Sequence, residues 1–106
     1  MGPNLKKIEE ISDGDDVFKK KMIDIIKQEF PKEKQDYYFY LEQNKYQESA
    51  LIIHKLKHKI NLLDLEEGFK LAQDFEVELK NNKLDLKDSF EELLATIEAY
   101  LTTLSL

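Results

Sequence analysis

The stretch Glu48-Ser49-Ala50-Leu51-Ile52-Ile53-His54-Lys55-Leu56-Lys57-His58-Lys59-Ile60-Asn61-Leu62-Leu63 decides the fold. An α-helix turns about 100° per residue. Ile52, Ile53, Leu56, Ile60 and Leu63 then share one arc of about 100°, the width of a core-facing stripe. His54 lies about 160° from Leu56 in one direction, and His58 about 160° in the other. Both imidazoles therefore face away from the core. Being four residues apart, they are neighbours on one face. Leu51 and Asn61 share that outward side, Lys55 adjoins His54, and Lys57 lies one turn beyond it.

The rest of the chain follows the same period. Leu5, Ile8 and Ile11 mark one face of a short first helix. Ser12-Asp13-Gly14-Asp15 reads as a break followed by an N-terminal cap. Phe18, Met22, Ile25 and Ile26 form one side of the next helix. It is expected to end near Phe30-Pro31, because the residue before proline disfavours the α conformation. A further segment runs from Pro31, which suits a first helical turn, to Gln43. Its Tyr37 to Leu41 run is apolar almost all round and could be core or interface.

The histidine helix runs from about Tyr46 to Leu63. The next starts near Asp64 and ends near Asn81-Asn82, with Leu65, Phe69, Ala72, Phe75 and Leu79 inward. Asn81-Asn82-Lys83 reads as a turn. The last helix starts near Leu86 or Asp88 and carries Phe90, Leu94, Ile97, Leu101 and Leu104 at spacings of four, three, four and three. The expected fold is all-α: an antiparallel up-and-down four-helix bundle with a short extra N-terminal helix, one domain over residues 1–106.

Composition agrees with long helices. The 106 residues include 36% charged residues, but only 3 Gly and 2 Pro to break the chain. A net charge of -6 speaks against nucleic acid as a partner, since phosphate binding needs a basic surface. With no cysteine, disulfides and thiolate metal sites are excluded. No apolar run approaches the roughly 18 residues of a membrane span, and Met1-Gly2-Pro3-Asn4 lacks the apolar core of a signal peptide. The expected location is the cytoplasm, with no membrane partner.

A neutral imidazole is a good nucleophile near pH 7, and an accessible one suits transfer chemistry between proteins. Two other uses of this face stay open. The His54/His58 pair at i, i+4 has a spacing that can hold Zn²⁺, although Lys55, Leu56 and Lys57 lie between the two and no Glu is interposed. The face could also serve a helical adaptor that binds a signalling partner without chemistry.

The run His54-Lys55-Leu56-Lys57-His58 resembles the core motif of the histidine-phosphotransfer (HPt) family, a His followed by x-Leu-Lys and usually a small residue. Leu63-Asp64 stands where that family commonly has a Leu-Gly pair, and Phe75-Glu76 resembles its later Leu-Glu pair. Ile8-Glu9-Glu10-Ile11-Ser12-Asp13-Gly14-Asp15 followed by Phe18 is similar to the family's opening turn, so the likeness spans nearly the whole chain. His58 departs from the Gly or Ser of many members, and Asp64 from a frequent Gly. Asp64 is expected to cap the following helix.

The resemblance implies a phosphorelay carrier and no free-standing enzyme. His54 would be the phosphoacceptor and Lys57 its electrostatic companion, with Leu51, Lys55, His58, Asn61 and Leu62 around them as docking surface. The partners implied are response-regulator receiver domains and a hybrid sensor histidine kinase. The domain would be a monomer with no ATP site, metal or cofactor of its own; Mg²⁺ would belong to the receiver.

Overall fold

In a computed structural model, residues 2–104 are described. Among them there are five helices and no strand: α1 (Lys6–Ser12), α2 (Asp16–Glu42), α3 (Tyr46–Leu62), α4 (Glu66–Lys80) and α5 (Lys87–Thr103). The breaks between them are short and chemically marked. Asp13, Asn44, Asp64 and Asn82 all take positive φ, between 46° and 62°, and Gly14 takes 84°. Asp and Asn are among the few side chains that tolerate this left-handed conformation, which stops a helix and releases its last carbonyls to turn hydrogen bonds. Asp15 opens α2 as expected: its Oδ1 accepts from the Phe18 amide at 3.0 Å.

The expected break at Pro31 does not occur. α2 continues through it for 27 residues, about 40 Å at 1.5 Å per residue, close to the 44 Å long axis of the molecule. Proline inside a helix removes one hydrogen bond and costs about 3 kcal/mol. Packing on both sides outweighs this. Ile23, Ile26 and Phe30 before the proline, and Tyr37 and Leu41 after it, are buried on one continuous stripe. Burying each such side chain is worth about 1.5–3 kcal/mol, so the stripe as a whole exceeds the local cost.

The core joins all five helices. Ile8 of α1 is fully buried, as are Ile53, Leu56 and Ile60 of α3. Tyr37 of α2, Phe75 of α4 and Phe90 of α5 meet edge-on or tilted, with ring centroids 5.3–6.3 Å apart. Such pairs add about 0.5–1.5 kcal/mol to area burial. Burial raises the Tyr37 hydroxyl pKa far above the ordinary 10, helped by Glu91, whose carboxylate accepts its hydrogen bond at 3.1 Å. The Tyr37–Tyr40 run thus belongs to the core at Tyr37, while Phe39 faces outward, 57% exposed.

Three further expectations change. Phe18 and Ile25 do not line the inner face of α2; they are exposed, and Ile23 and Ile26 carry the core contact. Ile11 is likewise exposed, although Ile8 is buried. Asp64 does not cap α4, whose N-cap is Leu65 with no side-chain cap. Instead it takes the left-handed turn after α3 and accepts a hydrogen bond from Asn4 Nδ2 at 3.1 Å. The left-handed position explains why glycine would also suit it.

Candidate functional site

α3 packs on α2 along one flank and on α4 along the other. Its inward stripe, Ile52, Ile53, Leu56 and Ile60, is buried. Ser49 and Ala50 are buried as well, and the Ser49 hydroxyl donates to the Tyr37 carbonyl at 3.2 Å, so small residues let α3 approach α2 closely. This fixes the rotation of the helix. His54 is turned out to solvent, with its side chain 60% exposed. The His58 ring stands edge-on to it, centroids 5.5 Å apart.

The expected docking residues fall around this ring. Leu51, Lys55, His58 and Asn61 are exposed, while Leu62 is half-buried. Leu51 is an apolar side chain 64% exposed beside the imidazole. Asn61 is partly engaged, accepting from Lys7 Nζ at 2.8 Å. Beyond His58, a shallow groove of about 210 Å³ runs between α2 and α3, lined by Met22, Ile25, Ile26, Glu29, His58, Lys59 and Leu62. The exposure of Ile25 makes sense here as part of an apolar lip.

Lys57 is drawn in against α4 and does not stand free in solvent. Its side chain is only 14% exposed, and the ammonium lies 5.6 Å from the centre of the Phe69 ring. Its Nζ is 2.9 Å from Glu76 Oε1, an ion pair lacking hydrogen-bond alignment, so Oε1 remains buried without a hydrogen-bond partner. The other carboxylate oxygen, Oε2, lies 3.7 Å from His54 Nδ1 and 3.6 Å from Lys80 Nζ. Glu76 therefore joins His54, Lys57 and Lys80 into one cluster across α3 and α4.

Glu76 and Lys80 were missed as site residues, although a signal for Glu76 was present. At 100° per residue it lies within the same arc of α4 as Ala72, Phe75 and Leu79. A carboxylate inside an apolar stripe is costly unless paired, so its position asks for partners. Lys80 follows at i+4.

The arrangement combines an accessible imidazole with a carboxylate beside it, and that carboxylate is shared with two ammonium groups. Nδ1 is the ring nitrogen aimed at Glu76, and Nε2 is on the other side of the ring. No group of three or more His, Cys, Asp or Glu side chains is placed to hold a metal ion among the described residues. No described helix is long and apolar enough to cross a membrane. In comparisons with known proteins, no family model, no curated protein and no solved structure matches this chain.

Proposed function

We propose that this chain is a phosphorelay carrier, accepting a phosphoryl group on His54 from a receiver-domain aspartate and passing it to another receiver. The observation that carries the reading is the His54–Glu76–Lys57–Lys80 cluster: an exposed imidazole beside a buried carboxylate that two lysines also face. The acceptor must be accessible because the partner supplies the other half of the active site. In the transfer, the P–O bond to the donor aspartate breaks, its electron pair stays on the aspartate, and a P–N bond forms on the imidazole. Positioning and charge stabilisation account for most of such a reaction. Lys57 and Lys80 would offset the charge that a phosphate adds.

The same proposal includes an antiparallel, up-and-down arrangement of α2 to α5 as a monomeric single domain, and a cytoplasmic setting. Mg²⁺ would come with the receiver, and a hybrid sensor kinase would be the upstream source. Leu51 and the lip of the α2–α3 groove supply apolar area next to the imidazole. That suits the small, transient contacts of signalling proteins, which can bury less than about 1,200 Å².

Incubation with a phosphorylated receiver tests the proposal. An acid-labile phosphate on the chain, absent from His54→Gln, is the expected result. Equal labelling of that variant would refute His54 as acceptor. The exposed Leu51 and the apolar groove also fit a second reading, a non-catalytic adaptor. Complex formation without any label transfer, unchanged in His54→Gln, would favour it.

A further inference from the structure

We propose that His58 is the phosphate-holding residue of this carrier: its protonated ring donates a hydrogen bond to a phosphoryl oxygen on His54 and slows loss of the group, so that retention weakens as pH rises. The inference rests on the phosphocarrier reading.

The first argument is placement. His58 follows His54 by one turn of α3, and the two rings meet edge-on with centroids 5.5 Å apart. Glu76, with Lys57 and Lys80, approaches His54 from α4. His58 lies on the other flank, at the mouth of the α2–α3 groove. A phosphoryl group sets three acceptor oxygens two bonds beyond the ring nitrogen that carries it. That span is comparable with the gap between the rings. A turn of the His58 side chain then brings its N–H to a phosphoryl oxygen at about 2.7–2.9 Å, the length of a charge-assisted hydrogen bond.

The second argument is availability. His58 is exposed, and its ring has no hydrogen bond or ion pair of its own among the described residues. It stands about 40° round the helix from His54, whereas Lys55 stands about 100° away. The other charged groups on this flank are committed. Lys59 is held by Glu29 and Glu33 of α2 at 2.7 and 2.9 Å, and Lys7 of α1 donates to Asn61 at 2.8 Å.

The third argument is charge. Imidazole is the side chain that ordinarily changes charge between about pH 5 and 8. A phosphoryl group adds about two negative charges beside it, which outweigh the single charge of Lys55 and favour the protonated ring. In hydrolysis a water oxygen bonds to phosphorus, the N–P bond breaks, and its electron pair returns to the His54 nitrogen. The departing group is metaphosphate-like and carries about one negative charge, against about two while bound. A cation on its oxygens therefore stabilises the loaded carrier more than the transition state, and hydrolysis slows.

The test uses the full chain: wild type, His58→Gln and His58→Lys. Phosphoramidate loads His54 without a receiver. Its P–N bond breaks, ammonia leaves, and a P–N bond forms on the imidazole, whose proton passes to water. Decay of the phosphohistidine is followed at about pH 6 and about pH 9. Phosphohistidine is itself labile to acid, so the readout at each pH is the ratio of wild-type to His58→Gln lifetimes. A ratio of about five is expected at the lower pH, falling below about 1.5 at the higher. His58→Lys, charged at both, is expected to outlast His58→Gln at both. Equal lifetimes of wild type and His58→Gln at the lower pH would overturn the role of His58 and leave the carrier reading standing. A ratio that does not change with pH would overturn the protonated ring as its basis. A His54 that takes phosphate from neither phosphoramidate nor a receiver would overturn the carrier reading, and this inference with it.

Discussion

α3 has two flanks built from the same materials to different ends. Toward α2, Lys59 is 12% exposed and reaches Glu29 at 2.7 Å and Glu33 at 2.9 Å, the latter as a directed hydrogen bond. Toward α4, Lys57 is 14% exposed and meets Glu76 at 2.9 Å without hydrogen-bond alignment. On the first flank one cation is shared by two acids. On the second, one acid is shared by two lysines and a histidine. Excess carboxylate around a single ammonium makes a clamp between helices. Excess cation around a single carboxylate leaves positive charge available for a further anion, next to the only imidazole face of the molecule. An acid-rich ion pair and a cation-rich one thus stand on opposite flanks of the same helix.

The largest effect on stability is expected on the α2 flank. Lys59→Met strands Glu33, half-buried between the helices, and should lower unfolding stability by about 1–3 kcal/mol in denaturant titrations. Phosphate acceptance by the folded fraction should be unchanged. The pH dependence of this difference is fixed by sign. Burial opposes the charge on Lys59, but its hydrogen bonds and charges with Glu29 and Glu33 outweigh burial and raise its pKa above the ordinary 10.5. A raised folded-state pKa gives stability that is complete below the unfolded value and lost as pH rises through the folded one. The Lys59 hydrogen bond and charge lower the Glu29 pKa below 4.5, so that contribution is lost as pH falls. The gap between wild type and Lys59→Met should thus narrow below about pH 4.5 and above about pH 10.5. A gap constant across both limits would break the clamp interpretation.

On the α4 flank the order of effects reverses. Lys57→Met keeps the apolar contact with Phe69 and removes one partner of the buried Glu76, but Lys80 still faces that carboxylate, so stability should fall by about 1 kcal/mol, less than on the α2 flank. The rate of phosphate acceptance should fall about tenfold, equivalent to about 1.4 kcal/mol in the barrier. Transfer time courses with a phosphorylated receiver measure it, and an unchanged rate would leave the two flanks functionally alike. The smallest change is expected for Lys80→Ala. Its ammonium is 52% exposed in an i, i+4 pair, worth about 0.5 kcal/mol or less, and acceptance should stay within about twofold. A larger loss than for Lys57→Met would reassign the principal cation of the site.

Much of this contrast was legible on the helical wheel and some of it was not. Lys57 lies about 40° outside the apolar arc of α3 on one side, and Lys59 about 20° outside it on the other. Both are therefore boundary residues able to bury their stems while reaching a neighbouring helix. Which acids they meet depends on how α2 and α4 are rotated against α3, and periodicity within one helix carries no such information. Glu76 is the clearest case. Its place in a buried stripe was visible, its partners were not.

Sequence by itself determined the helical class, the outward face of His54 and His58, the buried stripe of α3, and the turns at Gly14 and Asn82. These follow from the period of apolar residues and from the few side chains that tolerate positive φ. Tertiary structure decided three other matters. It carried α2 through Pro31, because contacts of Phe30 and Tyr37 with the other helices outweigh one lost hydrogen bond. It turned Phe18 and Ile25 outward, since α2 meets its neighbours through Ile23 and Ile26. It brought Glu76 and Lys80 to His54, across an interval of more than twenty residues. Local periodicity sets which way a side chain points; only the packing of helices sets what it points at.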